Sequence, residues 1–119
     1  AQAVTERVLL CTERKFCIMS SIKQAAEEML LQTIIPFWKG LRDEENGGFY
    51  GYMDFDLKLD KKAEKGCILN SRILWFFSEA AMLTGRADLA EDARHAYQFF
   101  LKNCYDEANG GVYWSCGDF

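Results

Sequence analysis

The chain has 119 residues, half of them hydrophobic and 14% aromatic, which is a composition for one small packed domain and excludes an intrinsically disordered segment. Its net charge of −4 comes from interspersed acids and bases with no basic block, which speaks against nucleic acid as a partner. The longest apolar run, Ile73-Leu74-Trp75-Phe76-Phe77, ends at Ser78 and Glu79, far short of the roughly 20 residues of a membrane span.

Residues 1–18 carry scattered charges, lack a signal-peptide apolar core and do not join the periodic pattern that follows. They read as a disordered extension outside the folded domain, with Met19 as the natural start. From 21 to 41 the apolar positions Ile22, Ala26, Met29, Leu30, Ile34, Phe37 and Leu41 advance in steps of three and four, which predicts an amphipathic helix. Pro36 removes one ladder hydrogen bond and is expected to bend or end that helix near its last turn. Asn46-Gly47-Gly48 then supplies residues that tolerate positive φ, and 49–54 alternate roughly, as in a tight turn entering a short hairpin.

A second helix is predicted over 65–84, stopped by Gly85. Its apolar residues run nearly all the way round, so it is expected to be buried on every side. A third helix over 88–104 has one apolar stripe, from Leu89 through Ala93, Ala96 and Phe100 to Cys104. Glu91, Asp92, Arg94, His95, Gln98 and Lys102 are placed on its wet side, and Asp88 with Glu91 has capping-box spacing.

The most informative pattern is a repetition. Residues 43–50, DEENGGFY, return as residues 106–113, DEANGGVY, six of eight identical at an offset of 63, and Phe37 and Lys39 recur as Phe100 and Lys102. Units repeated at fixed period cannot bury their apolar faces alone. Two helices and a hairpin per unit, with half-wet helices flanking an enclosed one, describe two concentric layers of an α/α barrel better than a flat solenoid. Three helices cannot close either layer, so the chain reads as the opening part of a longer repeat protein.

Arg72 stands out because a guanidinium on an apolar helix needs a partner, either a ligand oxygen in the axial cavity of a barrel or a carboxylate on a neighbouring helix. By position alone the two are equally favoured. Asn70, Ser71 and Glu79 on the same helix read as structural polar residues, and His95 as a solvated surface imidazole. Tyr50, Tyr52, Tyr113 and Trp114 near the hairpins can stack on a sugar ring but more often pack. Glu44/Glu45 and Asp54/Asp56 do not set the separation across a cleft that a glycosidase needs. The five cysteines, Cys11, Cys17, Cys67, Cys104 and Cys116, show no C-x-x-C pairing and, with one histidine, no recognisable zinc pattern. Scattered unpaired thiols fit a reducing cytosol.

Pro36-Phe37-Trp38, Leu41-Arg42-Asp43-Glu44, the run from Asn46 through Asp54 and the run from Ala63 through Asn70-Ser71-Arg72 to Phe76 resemble the N-acylglucosamine 2-epimerase family, in wording closest to its cellobiose 2-epimerase branch. The likeness covers 19–119 and is most specific between Pro36 and Glu79. It implies an (α/α)6 barrel of which 19–119 is the N-terminal portion. It also implies an isomerase that inverts C2 of an aldose through an enediolate, with no metal or redox cofactor. Arg72 matches the family's inner-helix arginine, which implies substrate binding there with Asn70 and Trp75 beside it. The acid and base histidines of the family belong to later helices, and no catalytic residue is assigned in this sequence. Where the family places a glycine at the hairpin tip, this chain reads Asp54-Phe55-Asp56-Leu57-Lys58. Another α/α-barrel carbohydrate enzyme, such as a glycoside hydrolase or aldose–ketose isomerase, and a non-catalytic helical-repeat binding module remain as alternatives.

Overall fold

The computed structural model describes residues 19–117, so the expected extension over 1–18 lies outside the described residues. The chain forms two compact units, Ala1–Phe37 and Trp38–Phe119. In the first, α1 (residues 19–29) runs into a widened π-helical stretch, Leu30–Ile34, followed by α2, Ile35–Gly40, in which the unit boundary falls. The Ile35 N–H reaches back five residues to the Leu30 carbonyl. A proline ring clashes with the carbonyl four residues before it in an unbroken α-helix, and the widened turn directly ahead of Pro36 relieves that conflict. The helix survives the proline by one turn. The predicted apolar stripe is present but not covered: Ile22 and Met29 are exposed and Ile35 is buried.

The second unit holds two long helices, α3 (Cys67–Thr84) and α4 (Ala87–Phe99), the latter continued by a π-helical turn at Phe100–Cys104. Gly85 closes α3 in the left-handed region at φ 69°, its N–H bonded to the Ala81 carbonyl, as the sequence predicts. The two helices pack through Ile73, Phe77 and Ala80 of α3 and Leu89, Ala93, Ala96 and Phe99 of α4, all buried. The expected capping box does not form. Helix α4 begins at Ala87, and Asp88 pairs with Arg86 at 2.6 Å and with Lys39 at 3.2 Å instead.

The sequence repeat is a structural repeat. Arg42 bridges Phe49 as Tyr105 bridges Val112. Asp43 N–H bonds the Gly48 carbonyl at 3.0 Å as Asp106 N–H bonds that of Gly111, and Tyr50 N–H bonds the Leu41 carbonyl at 2.8 Å as Tyr113 N–H bonds that of Cys104. In each copy the aspartate Oδ1 collects the amides two and three residues on. The copies differ in burial: Phe49 is fully covered, whereas Val112 is 58% exposed. A two-stranded antiparallel sheet, β1 (Lys65–Gly66) with β2 (Ser115–Cys116), ties the second copy to the start of α3, with Lys65 opposite Cys116. Nothing in the local sequence pattern announces this pair of two-residue strands.

Helix α3 is not enclosed as its composition predicts. Ile68, Trp75, Met82 and Leu83 are exposed, because no described element packs on that side. The hairpin after the first repeat loop reduces to a single bridge, Met53 to Leu59, around a turn in which the Lys58 N–H bonds Asp54 Oδ1. Leu57, at the position where a glycine is expected, has φ 61° and an exposed side chain. A left-handed non-glycine residue costs about 1–2 kcal/mol. Replacing Leu57 with glycine is therefore expected to stabilise the fold by roughly 0.5–1 kcal/mol after the entropy of the unfolded chain is subtracted. A shift of the urea midpoint to higher concentration checks it, and an unchanged or lower midpoint contradicts it.

Candidate functional site

Arg72, Trp75 and Phe76 stand three and four residues apart on α3, so their side chains leave the helix on one side. With Leu69 and Ile73 of the same helix and Trp38 of α2 they line a cleft of about 530 Å³. Arg72 and Trp75 are exposed to it and Ile73 is buried beneath. No ion pair among the described residues involves Arg72. A guanidinium flanked by aromatic walls offers five donors in a fixed fork beside flat apolar surfaces, a combination suited to a polyhydroxylated ligand.

Asn70 is placed differently. It is fully buried and does not line the cleft. Its Oδ1 accepts the Phe49 N–H at 2.9 Å and its Nδ2 donates to the Gly66 carbonyl at 3.1 Å, so the amide fixes the first repeat loop to the start of α3. That geometry makes it a support for the cleft helix and not a substrate contact. Gly48, at φ 68°, passes so close that a Cβ there would sit 2.6 Å from the Phe99 ring and 2.9 Å from Asn70 Oδ1. Only glycine fits.

Several residues that anchor this loop were not legible as such. Lys65 and Asp43 form a buried ion pair at 2.5 Å, and the same ammonium donates to the Gly47 carbonyl at 2.7 Å. Burial alone would raise the Asp43 carboxyl, but the Lys65 hydrogen bond together with the Asn46 and Glu45 amides outweighs it and holds the pKa at about 2. His95, expected in solvent, is half-buried, with Nε2 3.0 Å from the Gly48 carbonyl and its ring edge-on to Phe49. Asp92, also placed on the wet side of its helix, is 2% exposed and receives Lys39 and Arg42, the latter at 2.8 Å. Helical periodicity shows which side of α4 is polar, not which polar residue will meet cations about fifty residues away. Among the sequence's aromatic candidates, Tyr50 is packed, with Lys65 over its ring, while Tyr52, Tyr113 and Trp114 are exposed.

Residues 25–118 match the family model described as N-acylglucosamine 2-epimerase (GlcNAc 2-epimerase). The chain belongs to this family. A cellobiose 2-epimerase of Ruminococcus albus is 56% identical over 97 residues, covering 82% of this chain and 24% of that protein. A cellobiose 2-epimerase of Dictyoglomus turgidum is 45% identical over 93 residues, covering 78% of this chain and 24% of that protein. Among solved structures, the cellobiose 2-epimerase of Bacillus thermoamylovorans superposes with a TM-score of 0.81 at 37% identity, over 82% of this chain and 25% of that one. A sugar epimerase from a ruminal bacterium gives 0.78 at 54% identity, over 79% of this chain and 24% of that one. The chain thus spans about a quarter of the length of the relatives it matches. Those neighbours are α/α barrels, which agrees with the barrel expected from the repeat and from the family resemblance. No helix among the described residues is long and apolar enough to cross a membrane.

Proposed function

We propose that this chain supplies the N-terminal part of a sugar 2-epimerase that inverts C2 of the reducing-end glucose of cellobiose, or of an N-acylglucosamine. The carrying observation is the Arg72 guanidinium, exposed in a cleft walled by Trp38, Trp75 and Phe76. The names of the relatives support the substrate class. In the open-chain sugar the C1 carbonyl acidifies the C2 proton, so removal and return of a proton through an enediolate needs neither metal nor redox cofactor. Negative charge grows on the substrate oxygens as the proton leaves. A fixed cationic fork at those oxygens stabilises that charge more than it stabilises the neutral sugar. Trp75 offers a flat face to a sugar ring, and Asn70 acts at one remove by fixing the loop that backs α3. The acid and base histidines implied by the family resemblance lie outside this sequence. Free thiols at Cys67, Cys104 and Cys116 support a reducing cytosol as the setting.

The test is a chimera in which residues 19–117 replace the matching quarter of the Ruminococcus albus enzyme. Chromatography of a cellobiose incubation is expected to show the mannose-containing epimer at a kcat/KM within about tenfold of the parent. The 119-residue chain alone is expected to give none. A folded chimera that turns over N-acetylglucosamine and not cellobiose would move the substrate within the family, and one inert toward both would overturn the proposal.

A further inference from the structure

Three cysteines that the sequence leaves scattered converge in the second unit. Cys67 opens α3, Cys104 ends the π-helical turn after α4, and Cys116 lies in β2. Their Sγ atoms all lie within 4.8 Å of one another. Thiolates around a metal with bonds of about 2.3 Å stand roughly 3.8–4.0 Å apart, so a small contraction closes the set on an ion. Cys67 and Cys104 are 2% and 0% exposed and form one buried cluster with Phe99, against which Phe100 and Cys116 pack. Cys116 is half-buried and leaves one side approachable.

From this convergence we infer that Cys67, Cys104 and Cys116 form a binding site for a soft d10 cation of the Zn(II) or Cd(II) class, held by three thiolates with an exchangeable fourth position on the Cys116 side. The ligand set is all sulfur, which selects thiophilic ions over magnesium or calcium. Three thiolates and a divalent ion carry one net negative charge. Two features answer it: the start of α3, where Cys67 is the first helical residue and no side chain caps the amides, and Lys65, paired with Cys116 across the sheet. The three ligands come from three elements joined by the second repeat loop, so the ion would clasp that loop to the base of α3. The site is separate from the Arg72 cleft, sharing no lining residue with it.

Titrating the full chain, kept reduced with a phosphine, with Cd(II) against a chromophoric chelator tests this. One equivalent is expected to bind, with thiolate-to-cadmium charge-transfer absorption. Bound Zn(II) should shield Cys67, Cys104 and Cys116 from alkylation as read by mass spectrometry. Cys116→Ala, at a half-buried position of a two-residue strand, should keep the helical circular dichroism and weaken binding by about a hundredfold or more. Cys67→Ala should weaken it similarly, and the Cys11→Ser/Cys17→Ser pair should leave it unchanged. Absence of the charge-transfer band, binding retained in Cys116→Ala, or binding lost on replacing Cys11 and Cys17 would each overturn the site.

Discussion

Replacing Lys65 with methionine in the chimera is expected to cost about 3–5 kcal/mol of stability, because it strands a buried carboxylate. Asp43 is fully buried and its ion-pair partner is 1% exposed on the side chain, so neither charge has water to turn to. The lysine also donates to the Gly47 carbonyl and lies over the rings of Tyr50 and Phe99 at 5.3 and 5.2 Å, contacts a methionine only partly replaces. The pair has a pH signature. The folded Asp43 pKa of about 2 lies below the 3.8 of an unperturbed carboxyl, so its stabilisation is complete above pH ~4 and fades as pH falls toward 2. The amount is about 2 kcal/mol. In Lys65→Met burial acts with less opposition, the Asp43 pKa rises, and this acid-dependent loss should largely vanish. Urea unfolding at pH 7 and pH 3 on both proteins measures it. A variant within about 1 kcal/mol of the parent at pH 7 would mean that the pair does not anchor the loop.

The helices were legible because their signals are local. Apolar spacing places α1, α3 and α4 within a few residues, Gly85 stops α3, and the two Asn-Gly-Gly runs fix turns whose hydrogen bonds repeat at the same offset as the sequence. Arg72 was legible for a related reason, as a lone cation on an apolar helix. What escaped depends on long-range closure. Lys65 and Asp43 are unremarkable surface residues by type until the loop folds over α3. Asp92 and His95 occupy the polar side of α4, yet the first repeat loop and the end of α2 cover that side. The cysteines converge only because β1 and β2 pair, bringing Cys116 beside a helix start about fifty residues earlier. The enclosed face expected for α3 failed in the other direction. Composition correctly marks Ile68, Trp75 and Met82 as residues that favour burial, but no described element covers them.

The second large effect concerns Arg72, whose position alone left a ligand contact and a structural ion pair equally open. The structure records no ion-pair partner for it among the described residues and places it in the aromatic-walled cleft. If its fork meets the substrate oxygens as negative charge develops, Arg72→Ala removes an interaction stronger in the transition state than in the ground state. A loss of about a hundredfold or more in kcat, roughly 3 kcal/mol, is then expected. Folding should be spared, since an exposed guanidinium leaves no buried charge behind. A structural arginine would behave in the opposite way, with about 3–5 kcal/mol of stability lost and activity per folded molecule near normal.

Turnover and unfolding measured together on Arg72→Ala of the cellobiose-active chimera therefore bear most directly on whether this cleft is a substrate site. The expected result is a kcat lower by about a hundredfold with a urea midpoint close to that of the parent chimera. A destabilised variant that still epimerises cellobiose at the parental rate per folded molecule would contradict it.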